Sequence, residues 1–205
     1  EQEVPMSLSQ QFEARINELY ESFKKHDATQ KDRLQRYRNI EPDSAQFLAM
    51  QIRIQNSQQV LEIGTSTGYS TLWLADAVQV TQGQLTTLEI EAARSAQAQQ
   101  YAQEFGLDQR IQFWVGDAQD YLATCNTQFD FILLDAERDA YVDYWPHLKR
   151  VLAQQGGVLI VDNVISHAEE VQAFTQLVKE DGNYLLSTLA LGAGLLMITA
   201  KDYHG

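Results

Sequence analysis

From Gln59 onward, short apolar runs alternate with longer stretches of helical periodicity, and no other feature of the chain restricts its fold as much. The runs at 60–63, 84–90, 111–115, 129–134 and 157–161 predict five strands. The stretches near 69–79, 92–105, 118–124, 140–153 and 167–180 predict helices between and after them. Strands buried on both faces are apolar throughout, and the helices carry the chain back over the sheet. The alternation therefore predicts βαβ units and a mainly parallel sheet. The last two runs, 184–190 and 194–200, have three residues between them. A parallel crossover needs about a dozen, so these runs form an antiparallel hairpin. The pattern excludes an all-helical bundle and a β-sandwich.

Upstream, Phe12, Ile16, Leu19, Tyr20 and Phe23 recur at helical spacing over 8–25. Pro42 opens a second helix carrying Phe47, Leu48, Met50 and Ile52. Residues 1–5 precede Met6, and the expectation is that they are a remnant of expression rather than part of the domain. The expectation is a single domain over 6–205, with a helical cap over 6–55 and an α/β core over 56–205.

The 205 residues carry a net charge of −13, and residues 56–205 hold 19 acidic against 7 basic side chains. Affinity for phosphates comes from Lys and Arg, so this body is a poor general binder of nucleic acid. The exception is local: Lys24, Lys25, Lys31, Arg33, Arg36 and Arg38 stand against Asp27 and Asp32. They form either a solvated face or a basic rim for an anionic substrate. Cys125 is the only cysteine and cannot form an internal disulfide. It reads as a small core residue in a reducing compartment. No apolar run approaches the roughly 18 residues of a membrane helix. A cytoplasmic chain is expected.

Ligands of open α/β sheets bind at the C-terminal ends of the strands, so the loops that follow them carry the chemistry. After the first strand comes VLEIGTSTGYS, Val60 to Ser70. Gly64 and Gly68 allow a tight turn into a helix N-terminus. Ser66 stands where a dinucleotide fingerprint has its second glycine, so the pyrophosphate cradle is missing. Glu62 within the motif would repel phosphate and attract a cation. Glu89 ends the second strand, 25 residues beyond Gly64, where a carboxylate accepts ribose hydroxyls. A ribose without a pyrophosphate, beside a carboxylate suited to a cation, describes S-adenosylmethionine better than NAD. After the third strand, Asp117 and Ala118 suit an adenine edge, and Asp117 equally suits a helix N-cap.

Asp135 ends the fourth strand; Asp162 and Asn163 end the fifth. Adjacent parallel strands would bring these three together as an all-oxygen set. Such a set suits Mg²⁺, or another hard divalent ion such as Mn²⁺ or Ca²⁺, and is unlike a zinc site.

With these pieces in order, the chain resembles the metal-dependent O-methyltransferases of the catechol and caffeoyl-CoA O-methyltransferase family, bacterial branch. The likeness runs from about residue 38 to 201. It rests on VLEIGTSTGYS, LTTLEIE, and LLDAERDAY paired with VDNVI. The resemblance implies a class I methyltransferase fold with strand order 3-2-1-4-5-7-6. It implies S-adenosylmethionine held by Glu62, Gly64, Thr65, Ser66, Gly68 and Ser70, with Glu89 on the ribose, Asp117 and Ala118 at the adenine, and Asp135 alongside. It further implies a divalent metal on Asp135, Asp162 and Asn163, a homodimer, and N-terminal helices over the substrate site. Where the family usually has a lysine, this chain has Arg138, and the glutamate that grips catechol in the animal enzymes aligns with Ser187.

The implied activity is methyl transfer to a hydroxyl of a small catechol-like or hydroxycinnamoyl-type vicinal diol. Arg stays protonated to above about pH 12, so Arg138 would stabilise a phenolate electrostatically rather than take its proton. His167 would relay the proton if it faces the site, although an exposed histidine at a helix start is the simpler reading. Two other functions compete. One is O-methylation of a hydroxylated uridine in tRNA, with the basic stretch on the RNA backbone. The other is a catalytically weak S-adenosylmethionine-binding protein. A nicotinamide dehydrogenase and a metal-free O-methyltransferase are more distant readings.

Overall fold

The structure is a computed structural model and describes residues 8–32, 36–37 and 39–202, with Leu8 and Ser9 described through their backbone alone. Residues 1–5, Arg33, Arg38 and His204 lie outside the described residues. Seven strands form one sheet: β1 (Gln59–Ile63), β2 (Gln84–Glu89), β3 (Ile111–Val115), β4 (Phe131–Leu134), β5 (Val158–Asp162), β6 (Tyr184–Leu189) and β7 (Leu195–Ala200). Their order is β3-β2-β1-β4-β5-β7-β6. β7 runs antiparallel to both β5 and β6, and the remaining pairs are parallel. This is the class I methyltransferase order expected from the sequence.

β4 and β5 are buried along their whole length, which explains their unbroken apolar sequences. β6 lies at an edge and alternates in exposure, with Leu185 56% exposed. The fourth strand is shorter than its apolar run. Phe129 meets Leu152 in an isolated parallel bridge before the ladder begins at Phe131.

The helices are α1 (Leu8–Thr29), α2 (Pro42–Gln55), α3 (Tyr69–Thr81), α4 (Ala92–Glu104), α5 (Ala118–Thr124), α6 (Tyr141–Val151) and α7 (Ala168–Asp181). α1 runs one turn beyond the predicted end, and its apolar stripe explains its seat. Phe12 meets Trp73 of α3 edge-on at 5.2 Å, and Ile16 is fully buried. The helix predicted near 140–153 is α6, and a turn of 3₁₀ helix at Arg138–Ala140 precedes it. Cys125 is buried, as expected of a small core residue. Among the described residues, no helix is long and apolar enough to cross a membrane.

Candidate active site

β1 has β2 on one side and β4 on the other, so the strand order reverses there and a crevice opens at the strand ends. A cavity of about 580 Å³ fills it. Ten of the residues singled out from the sequence line it: Gly64, Thr65, Ser66, Ser70, Glu89, Asp117, Ala118, Asp135, Arg138 and Asn163. Glu62, Gly68 and Asp162 are buried beside it.

Glu62 is fully buried, with its charge directed into the protein. The parallel register sets it beside Thr87 of β2. Its carboxylate accepts bonds from the hydroxyls of Thr87 (2.7 Å), Ser70 (2.6 Å) and Thr71. Thr65 reaches the same network through Thr87 at 2.6 Å. Burial raises the Glu62 carboxyl to about 7, partly offset by these hydroxyls. Glu62 thus ties the loop after β1, the start of α3 and β2 together, in place of the cation contact that the sequence suggests.

Gly64 and Gly68 also serve packing. A Cβ on Gly64, whose φ is +105°, would lie 2.0 Å from the Asp135 carbonyl oxygen. One on Gly68 would lie 2.9 Å from the Ala98 side chain. The glycines let β4 and α4 approach the loop after β1.

Glu89 is buried rather than an ordinary surface glutamate. Its two carboxylate oxygens accept the backbone N–H groups of Ser66 (2.9 Å) and Glu91 (2.8 Å). The side chain is fixed at the end of β2, with lone pairs left for a ligand's hydroxyls. Asp117 caps α5 by accepting the Gln119 N–H at 2.9 Å, and it also lines the cavity, so both roles read from the sequence share one residue. Tyr144, Ile90 and Ala118 give that end of the cavity apolar surface. Ile90 is 67% exposed, and a large apolar side chain exposed at a strand end is itself a ligand-site signal.

At the opposite side, Asp135, Asp162 and Asn163 converge at the ends of β4 and β5. Asn163 donates from Nδ2 to Asp135 Oδ1 at 3.2 Å and holds a left-handed φ of 64°, which Asn tolerates better than most residues. Asp162 is buried, and its Oδ1 has no hydrogen-bond partner. Burial, and the neighbouring Asp135 charge after it, push the Asp162 carboxyl up. An unsatisfied buried carboxylate oxygen beside a second carboxylate and an amide oxygen fits a hard divalent cation. Among the described residues no three His, Cys, Asp or Glu side chains gather as a metal cluster; this oxygen set draws one member from Asn.

Arg138 forms an ion pair with Glu170 of α7 while lining the cavity. His167, at the start of α7, is half-buried and lines the cavity, which overturns the exposed reading. Its Nδ1 lies 2.8 Å from Ser166 Oγ.

The N-terminal residues that reach the cavity come from the segment between α1 and α2, not from the helices that the resemblance implies as its cover. Arg36, Tyr37, Asn39 and Ile40 form one lip of the cavity. Thr67 Oγ1 donates to Asn39 Oδ1 at 2.5 Å, and Asp27 accepts the Tyr37 N–H at 2.7 Å while His26 stacks on the Tyr37 ring. Of the described residues in the predicted basic stretch, Arg36 lies on this rim.

A doubly wound sheet ending in an antiparallel hairpin, with a ribose-type acid on β2 and an acidic pair across the switch point, defines a class I methyltransferase. The family model described as "O-methyltransferase" matches residues 10–199, and the chain belongs to that family. A catechol O-methyltransferase of Niastella koreensis is 29% identical over 177 residues, covering 82% of this chain and 79% of the relative. A catechol O-methyltransferase of Mycobacterium tuberculosis is 35% identical over 127 residues, covering 62% of this chain and 57% of the relative. Among solved structures, an O-methyltransferase from Bacillus cereus in complex with SAH superimposes with a TM-score of 0.75 at 22% identity. That match covers 98% of this chain and 94% of the other.

Proposed function

We propose that the protein transfers the methyl group of S-adenosylmethionine to one hydroxyl of a small aromatic vicinal diol, with a divalent cation at Asp135, Asp162 and Asn163. The observation that carries this reading is the buried, partnerless Oδ1 of Asp162 beside Asp135 and Asn163. The relatives named for catechol support the substrate class, and the SAH-bound neighbour supports the cofactor.

Glu89 receives the ribose hydroxyls, and Asp117 with Ala118, Ile90 and Tyr144 receives the adenine. A bound divalent ion supplies positive charge that lets a phenolic hydroxyl ionise near neutral pH, instead of near its ordinary pKa of about 10. Arg138, held in place by Glu170, adds a second positive charge at the cavity wall and lowers the cost of the phenolate oxygen. The imidazole of His167 lies on the same wall as an acceptor for the departing proton. The strand ends and the N-terminal lip hold the two reactants close and aligned, and such positioning offsets about 7–11 kcal/mol of a bimolecular barrier.

Two neighbouring oxygens distinguish the proposed acceptor from a simple phenol. A panel of ortho-dihydroxybenzenes, the matching monomethyl ethers and the matching monophenols tests the reading. Labelled methyl should pass to the diols and fall at least about 100-fold for the monophenols, the loss of one chelating oxygen being worth several kcal/mol. Equal rates for diol and monophenol would overturn it.

A further inference from the structure

We infer that Tyr141 is a positioning residue for the cation site, acting through the backbone that follows Asp135. The inference rests on the proposed reading of Asp135, Asp162 and Asn163 as cation ligands. Tyr141 is 1% exposed, and its ring packs edge-on against Phe174 at 5.9 Å. Its hydroxyl makes two bonds to one residue: it accepts the Ala136 N–H at 2.8 Å and donates to the Ala136 carbonyl at 3.0 Å. Ala136 has left the sheet, so no ladder serves its backbone. The tyrosine hydroxyl supplies both missing partners in an otherwise apolar cluster.

Asp135 is constrained from the other side as well. Its N–H donates to the Ile63 carbonyl at 3.0 Å, and its own carbonyl occupies the space that Gly64 leaves by having no Cβ. β1 therefore grips Asp135 before its side chain, and Tyr141 grips the chain after it. Between these two holds the carboxylate is delivered to Asn163 Nδ2. Residues that orient ligands in this way typically govern metal affinity by 10–100-fold. The ring of Tyr141 fills the core, and its oxygen orients the site, so the two contributions are separable by substitution.

The test is Mn²⁺ binding, followed by the electron paramagnetic resonance of the free ion, with no turnover involved. The wild-type chain should bind one Mn²⁺. Tyr141→Phe keeps the ring, removes the oxygen, and should weaken Mn²⁺ about tenfold with SAH affinity unchanged. Phe174→Leu disturbs the ring's packing, keeps the hydroxyl, and should leave Mn²⁺ affinity near wild type. Equal Mn²⁺ affinity for Tyr141→Phe and wild type would overturn this inference alone, and so would equal weakening in Phe174→Leu. Failure of the wild-type chain to bind Mn²⁺ would overturn the cation reading and this inference with it. If Tyr141→Phe does not fold, amide exchange in the unmodified protein decides: the Ala136 amide should be protected like the sheet amides, and rapid exchange would refute the clamp.

Discussion

Glu62 is the residue at which sequence and structure part most clearly. As a letter in a glycine-rich loop it suggests a cation at the cofactor. In the fold it accepts hydrogen bonds from three hydroxyl groups, and a fourth, that of Thr65, joins the network through Thr87. Its carboxyl is raised from 4.5 to about 7 by burial, so the folded state holds a proton that the unfolded chain has already lost. The contribution is fully favourable below pH 4.5, declines as pH rises, and is spent above about 7. Stability of the wild type relative to Glu62→Gln should therefore fall between those limits by about 3 kcal/mol in urea melts. Parallel curves for the two proteins would refute the assignment. Asp162 gives the second prediction at this scale. Asp162→Ala should abolish metal-dependent turnover and leave SAH affinity within about twofold, since the proposed cofactor contacts run through Glu89 and Asp117. Turnover at the wild-type rate would remove it from the ligand set. That Glu89, Asp117, Asp135 and Asn163 line the cavity was legible because each ends a strand or follows one within two residues, and strand ends in such sheets are where ligands bind. Burial direction was not legible. The sequence cannot show that a carboxylate at position 62 faces Thr87, because that depends on the register of β1 against β2.

The elements explain why the loop glycines tolerate no side chain. β1 and β4 are adjacent and parallel, and the turn after β1 passes so close to the end of β4 that a Cβ at position 64 meets a backbone oxygen. A backbone oxygen cannot rotate away, and the positive φ adds strain for any L-residue. Gly64→Ala should cost on the order of 3 kcal/mol of stability and displace Asp135 enough to weaken Mn²⁺ binding. An unchanged urea midpoint would show that the β1–β4 approach is looser than described. The parallel strands and the final antiparallel hairpin were readable from the spacing of the apolar runs and the brevity of the last connection, whereas the strand order followed only from the family resemblance. The lip formed by Tyr37, Asn39 and Ile40 was not, because it is irregular backbone held by single hydrogen bonds to Asp27 and Thr67, and neither periodicity nor motif marks such contacts. The 3₁₀ turn at Arg138–Ala140, which lies between Ala136 and the Tyr141 hydroxyl that bonds it, was equally hidden.

For the whole molecule, acidity and topology point to the same kind of substrate. A net charge of −13 favours a cation bound at a few carboxylates and disfavours a long polyanion, and the cavity of about 580 Å³ is of a size for one cofactor with a small acceptor. The measurement that tests the central claim most directly is methyl transfer from labelled S-adenosylmethionine to ortho-dihydroxybenzenes, with Mg²⁺ and with EDTA. Transfer that EDTA abolishes and added Mg²⁺ restores is the predicted result. Transfer that proceeds unchanged in EDTA would contradict the cation site at Asp135, Asp162 and Asn163.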